Sequence, residues 1–152
     1  MKQVVKVRIP PTEDQAAALR ETLRVCNEAA SWLSDRMHAE RVRGRHDVQK
    51  RFYTELKRLF GLSAQPAIRV IGKVAEAYTT LGANIDASNY GPPGSQRRKA
   101  VADKAIGFRA QAAQPFDARC LSWQLPDAVG ARQATVSIWT TGGRLKNVRI
   151  IG

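Results

Sequence analysis

Apolar and polar positions alternate from Gln3 to Ile9. Val5, Val7 and Ile9 fall on one side and Lys6 and Arg8 on the other, the period of a half-buried strand with a basic outer face. Pro10 and Pro11 end it, because neither can donate to a sheet ladder. The period then changes. Thr12 and Gln15 have capping-box spacing, and Glu13 and Asp14 suit the positive end of a helix. Ala16, Leu19, Leu23, Cys26, Ala30, Leu33 and Met37 recur at alternating steps of three and four, which predicts one long helix over 13–42, stopped by Gly44. A second helix is expected from Asp47 to Gly61, with Val48, Phe52, Leu56, Leu59 and Phe60 on its apolar face. A third is expected over 65–81, with Ile68, Ile71, Val74, Ala75 and Tyr78 as its core stripe and Pro66 in the first turn, where a missing N–H costs nothing. A seam of this kind can serve a partner protein, but three in tandem supply one another and predict a small bundle.

Glycine, asparagine, proline and serine then dominate, and Arg97-Arg98-Lys99 follows Pro92-Pro93-Gly94, so 83–104 reads as a flexible basic linker. Beyond it the pattern is β. A short strand is expected at 105–110, and another at 119–125 with Arg119, Leu121, Trp123 and Leu125 on one face. Strands 135–140 and 145–151 flank the turn signal Thr141-Gly142-Gly143. A three-residue loop sets Val136 opposite Val148, Ala134 opposite Ile150 and Trp139 opposite Leu145; a two-residue loop matches apolar positions less well. The expected fold class is α+β. Both chain ends, 1–11 and 105–152, would build one small β barrel of the oligonucleotide-binding type, with a three-helix bundle at 12–82 inserted between its strands.

Charge sharpens this picture. The 152 residues hold 25 Lys and Arg against 13 Asp and Glu, a net of +12. Residues 1–11 carry three basic and no acidic side chains, and 61–152 carry twelve and five, whereas 12–60 carry ten and eight. The predicted barrel would therefore collect most of the excess. A field of this size attracts polyanions, and nucleic acid is the commonest one in a cytoplasm. No apolar run approaches the ~20 residues of a membrane span. The start, MKQVVKVRIPP, lacks the apolar stretch of a secretory signal, so a cytoplasmic protein without membrane partners is expected.

Catalytic chemistry is hard to assemble. Cys26, Cys120, His38 and His46 are too few and scattered for a four-ligand zinc site. A two-metal nuclease needs several converging carboxylates, but Glu76, Asp86, Asp103, Asp117 and Asp127 share no motif, and the other acidic residues alternate with Arg and Lys as solvated helix faces. No phosphate-binding loop ending in Gly-Lys-Ser/Thr is present, and neither histidine is tied by spacing to a Ser or Cys. Neither metal nor cofactor is expected. The residues suit backbone binding instead: Lys6, Arg8, Arg119, Arg132, Arg144, Lys146 and Arg149 lie on predicted strands, interleaved with Phe108, Trp123 and Trp139. The tryptophans can equally be barrel core, the simpler reading for Trp123. Arg41, Arg43, Arg45, Lys50 and Arg51 form a second basic group, at a helix end where arginine also suits the dipole.

The order of parts resembles the amino-terminal half of the TnpB family, RNA-guided transposon nucleases related to type V CRISPR effectors. The residues that carry the likeness are VKVRIPPTEDQAAALRETLRVCNEAASWL, LSAQPAIRVIGKVAEAY, AIGFRAQAAQPFDARCLSW and VSIWTTGGRLKNV. The resemblance implies a wedge domain from 1–11 and 105–152 and a helical recognition domain at 12–82, gripping guide RNA and the guide–target duplex. It places Gln65 and Arg69 at the start of the helix facing a short motif beside the target DNA, where either side chain could reach base edges. Lys6, Arg8, Arg97, Arg98, Lys99, Arg119, Arg144 and Lys146 are the expected backbone contacts. The family's three nuclease carboxylates and zinc-binding cysteines lie downstream of Gly152, so the expectation is a binding portion without the cutting half. Two alternatives stay open: a subunit completed by a separate nuclease chain, and a stand-alone DNA-binding regulator.

Overall fold

The seam beginning at Ala16 folds as its spacing requires. In the computed structural model, which describes residues 1–126 and 133–151, helix α1 runs over Glu13–Glu40. Its start is a reciprocal capping box: the Thr12 amide donates to Gln15 Oε1 at 3.0 Å and the Gln15 amide to Thr12 Oγ1 at 3.3 Å. Three further helices follow, α2 Arg45–Phe60, α3 Ala64–Asp86 and α4 Gln96–Ala102, and then three strands, β1 Leu121–Gln124, β2 Thr135–Thr140 and β3 Gly143–Arg149. The class is α+β. The chain divides into two compact units, one of Met1–Thr22 with Phe116–Gly152, the other of Leu23–Pro115.

The helical unit packs Cys26, Ala29, Ala30, Leu33 and Met37 of α1 with Val48, Phe52 and Leu56 of α2 and Pro66, Ala67, Val70, Ile71, Val74, Ala75 and Tyr78 of α3, all buried. Trp32 meets Phe52 and Phe60 edge-on at 6.3 and 5.9 Å. Gly61, at φ +63°, closes α2 by donating its amide to the Lys57 carbonyl. Leu59 lies 45% exposed rather than on the core face.

The expected flexible linker at 83–104 is instead largely ordered by local capping. Helix α3 continues to Asp86, past the predicted end at 81. The Ser95 hydroxyl then accepts from the Arg98 amide and donates to the Tyr90 carbonyl, starting α4. The expected strand at 105–110 does not form either, because side chains of the helices satisfy its backbone groups. Tyr78 Oη accepts from the Ile106 amide at 3.2 Å, Ser31 Oγ accepts from the Phe108 amide and donates to the Phe108 carbonyl, and Asn27 Nδ2 donates to the Ala110 and Ala112 carbonyls. Residues 105–115 therefore belong to the helical unit, not to the sheet.

In the other unit, β1, β2 and β3 form an antiparallel sheet in that order. Val136, Ile138, Val148 and Ile150 are its buried centre, with Val7, Ile9, Leu19, Phe116, Leu121 and Leu145 packed around them. Val136 does oppose Val148, but by a different route from the expected loop. Thr140 pairs with Gly143, leaving a two-residue turn, and a bulge between Val136 and Ile138 restores the register. Asn147, at φ +57°, sits on the bulged strand. The Thr141 amide donates to Thr22 Oγ1 at 3.1 Å, tying the hairpin tip to the first turns of α1.

The sheet is open, not a closed barrel. Of the expected strand 3–9, Arg8 alone pairs, exchanging two 2.8 Å backbone bonds with Ile151. Val7 and Ile9 pack on the sheet core, but Val4 and Val5 are over 80% exposed, so the alternation is used only over its second half.

The Tyr78 hydroxyl makes three hydrogen bonds within the core of the helical unit. It bonds Ser34 Oγ at 2.8 Å, the Ser34 carbonyl at 3.1 Å and the Ile106 amide, with Tyr78 only 3% exposed. Tyr78→Phe leaves these partners unsatisfied in the core and is expected to cost about 1–3 kcal/mol of unfolding free energy in urea titrations.

Candidate nucleic-acid interface

The excess charge does not gather on the sheet as expected. Residues 23–115 carry sixteen basic and eight acidic side chains, a net of +8, whereas 1–22 with 116–152 carry nine and five, a net of +4. The reason is spatial: Arg97, Arg98, Lys99, Lys104 and Arg109 follow the helices in sequence and fold with them. The ion pairs Arg24–Glu28 and Arg51–Glu40 join residues of the helical unit. Among the described residues no carboxylate lies within ion-pair distance of Arg41, Arg43, Arg45, Lys50, Arg97, Arg98 or Lys99.

On α3, Gln65 and Arg69 are four residues apart and share a face, as their spacing requires; both are half-buried and partnered within the fold. Arg97 and Lys99 are exposed on α4, with the Arg97 guanidinium 5.6 Å from the Tyr90 ring, and Arg98 is half-buried. Arg41, Val42, Arg43, Asp47, Lys50 and Arg51 line one concavity where α1 gives way to α2. Arg43 also lies 4.8 Å over the Tyr78 ring, so this group is fixed by packing as well as by charge.

On the sheet unit, Lys6 and Arg8 are exposed beside Ile151. Arg144 opposes Trp139, and two of its guanidinium N–H groups are used within the sheet unit, donating to the Arg119 carbonyl and to Ser122 Oγ, each at 3.0 Å. Arg119 itself sits in the turn before β1 rather than on a strand. Lys146 is exposed, and Arg149 donates to Gln133 Oε1 at 3.0 Å. Trp123, expected in the core, is 52% exposed, and Trp139 is half-buried, edge-on to Phe116 at 6.4 Å. Arg132 and Asp127 lie outside the described residues. The structure thus divides the ten expected contact residues between two units: Lys6, Arg8, Arg119, Arg144 and Lys146 on the sheet, and Gln65, Arg69, Arg97, Arg98 and Lys99 on the helices.

The pattern of residues gave no warning of Lys73. Its ammonium donates to Asn27 Oδ1 at 2.6 Å and to Gln114 Oε1 at 3.4 Å, and lies 5.2 Å from the Phe108 ring. It forms part of the wall of an open groove of about 620 Å³, along with Glu76, Tyr90 and Phe108. Burial holds its pKa below the ordinary value of 10.5, and Cys26 nearby acts in the opposite sense. Cys26 and Cys120 are both buried free thiols. Among the described residues no three His, Cys, Asp or Glu side chains gather as metal ligands would, and no helix is long and apolar enough to cross a membrane.

The lowered Lys73 pKa sets a pH dependence. Between its folded value and 10.5 the unfolded chain binds the extra proton, so this group makes stability rise with pH across that window. Urea titrations from neutral pH upward are expected to show that rise in the wild type and a flatter profile in Lys73→Met; identical slopes would contradict the assignment.

No family model matches the chain, and no curated protein or solved structure matches it.

Proposed function

We propose that the chain is a nucleic-acid-binding portion of a TnpB-like RNA-guided nuclease, holding guide RNA and target DNA in a cytoplasmic setting and leaving cleavage to residues outside it. One observation carries the reading: Arg41, Arg43, Arg45, Lys50, Arg97, Arg98 and Lys99 of the helical unit have no carboxylate within ion-pair distance among the described residues, on a chain of net +12. Like charges at such density repel, and a polyanion relieves that cost while releasing its own counterions. The Arg43 and Arg97 guanidinium groups lie over the Tyr78 and Tyr90 rings, contacts that restrain them while leaving N–H donors for phosphate oxygens. The proposal includes closure of the open sheet into an oligonucleotide-binding-type barrel by residues 3–9, with the Arg8–Ile151 bridge as its first rung.

Within this reading Gln65 and Arg69 face base edges of a duplex motif, and Arg97, Arg98 and Lys99 hold backbone. RNA is expected to co-purify with the chain, and affinity for structured RNA to fall steeply with salt. Arg69→Ala should flatten preference among duplexes in a randomised DNA library. The pair Arg97→Ala with Arg98→Ala should weaken all sequences alike and reduce the salt slope by about two. Equal effects of both changes on every sequence would defeat that division. Specific duplex binding without RNA would favour a regulator instead, and guide-dependent cleavage on adding a second chain would favour a split nuclease.

A further inference from the structure

Helix α3 contains two glycines, each a weaker helix former than alanine. A Cβ at Gly82 would meet nothing within 4 Å. A Cβ at Gly72 would lie 3.1 Å from Nη2, 3.2 Å from Cζ and 3.5 Å from Nε of Arg45. Three guanidinium atoms at nearly equal distance from one point place the plane of the group over the helix at Gly72. The N–H donors, which lie in that plane, are then directed outward along its edges. Arg45 is the first residue of α2, is exposed, and has no carboxylate partner among the described residues.

Gly72 follows Arg69 by three residues and Gln65 by seven, so all three positions lie along one stripe of α3. The guanidinium contributed by α2 extends that stripe by a turn. The acidic residues closest in sequence are Glu76, exposed one turn further along α3 from Gly72, and Asp47, two residues beyond Arg45 on the wall of the concavity between α1 and α2. A guanidinium held flat on this face, beside side chains that reach base edges, suits the adjoining phosphate, which accepts parallel N–H bonds from a planar fork.

We propose that Arg45, seated in the notch left by Gly72, forms a phosphate-backbone clamp on the α3 face of the helical unit, beside the base-facing Gln65 and Arg69. This rests on the nucleic-acid reading above and names the surface that does the gripping. Gly72 is a positioning residue: it keeps the guanidinium low on the helix, where an alanine methyl would push it away. Because the atoms in the way are the far end of a flexible side chain, the push costs the fold little.

That separation of stability from binding supplies the test. Anisotropy titrations of the full chain with a labelled RNA hairpin, from about 50 to about 200 mM KCl, compare wild type with Arg45→Ala, Gly72→Ala and the exposed control Arg58→Ala. Arg45→Ala and Gly72→Ala are each expected to lose roughly five- to tenfold in affinity, and Arg45→Ala to lower the salt slope by about one. Gly72→Ala is expected to melt at or above the wild-type temperature, as alanine favours the helix. If wild type binds but Gly72→Ala binds equally well, or Arg45→Ala is no weaker than Arg58→Ala, the clamp is wrong while the nucleic-acid reading stands. A Gly72→Ala chain that melts below wild type would make the notch a packing feature and overturn its assignment. A wild type that ignores the hairpin at the lowest salt would overturn both.

Discussion

The carboxamide of Asn27 is the joint on which the helical unit depends. Asn27 is 1% exposed, yet both ends of its side chain are used: Nδ2 donates to the Leu23, Ala110 and Ala112 carbonyls, and Oδ1 accepts from Lys73. A buried amide left without partners would cost more than its bonds return, so the segment 105–115 and the Lys73 ammonium must both come to it. Ser31 and Tyr78 extend the same arrangement to Phe108 and Ile106. These polar groups lie among apolar residues of α1 and α3 and select one path for a segment that has no strand to pair with.

That path has an electrostatic consequence. By binding 105–115, the helices keep α4 and its Arg97-Arg98-Lys99 run within their own unit, raising its net charge to +8. A core of moderate size tolerates such a surface because the cations are exposed, or lie over aromatic rings, as Arg43 does at 4.8 Å from Tyr78 and Arg97 at 5.6 Å from Tyr90. Under the proposed nucleic-acid reading, side chains already held in this way lower the ordering cost of binding. The sheet unit is milder. Its Arg144 and Arg149 are hydrogen-bonded to Arg119, Ser122 and Gln133, and its Lys6, Arg8 and Lys146 are exposed.

Much of the helical architecture was legible in the residues themselves. The alternating three-and-four spacing from Ala16 to Met37 requires a helix, and the Thr12–Gln15 capping box marks where it starts. The α2 face of Val48, Phe52 and Leu56 and the hairpin pairing of Val136 with Val148 follow from period and side-chain matching alone. The bulge at Asn147 was not legible, since it spends one residue in the strand rather than in the turn: Val136 still opposes Val148, but Leu145 pairs with Ile138 instead of the expected Trp139, which faces Arg144. Nor was the seat of Arg45, because a glycine within a helix announces only weak propensity until the residue lying on it is known.

Local chemistry alone thus determined the first three helices, the three strands of the sheet and the capped start of α1, because each depends on residues within a few positions of one another, and composition fixed the sign and size of the charge. Tertiary structure decided which unit each segment joins, where the cations collect, and that the sheet stays open at Arg8 and Ile151. Those outcomes turn on partners eighty or more positions away, as Asn27 is from Ala110, and no local period encodes a hydrogen bond of that reach.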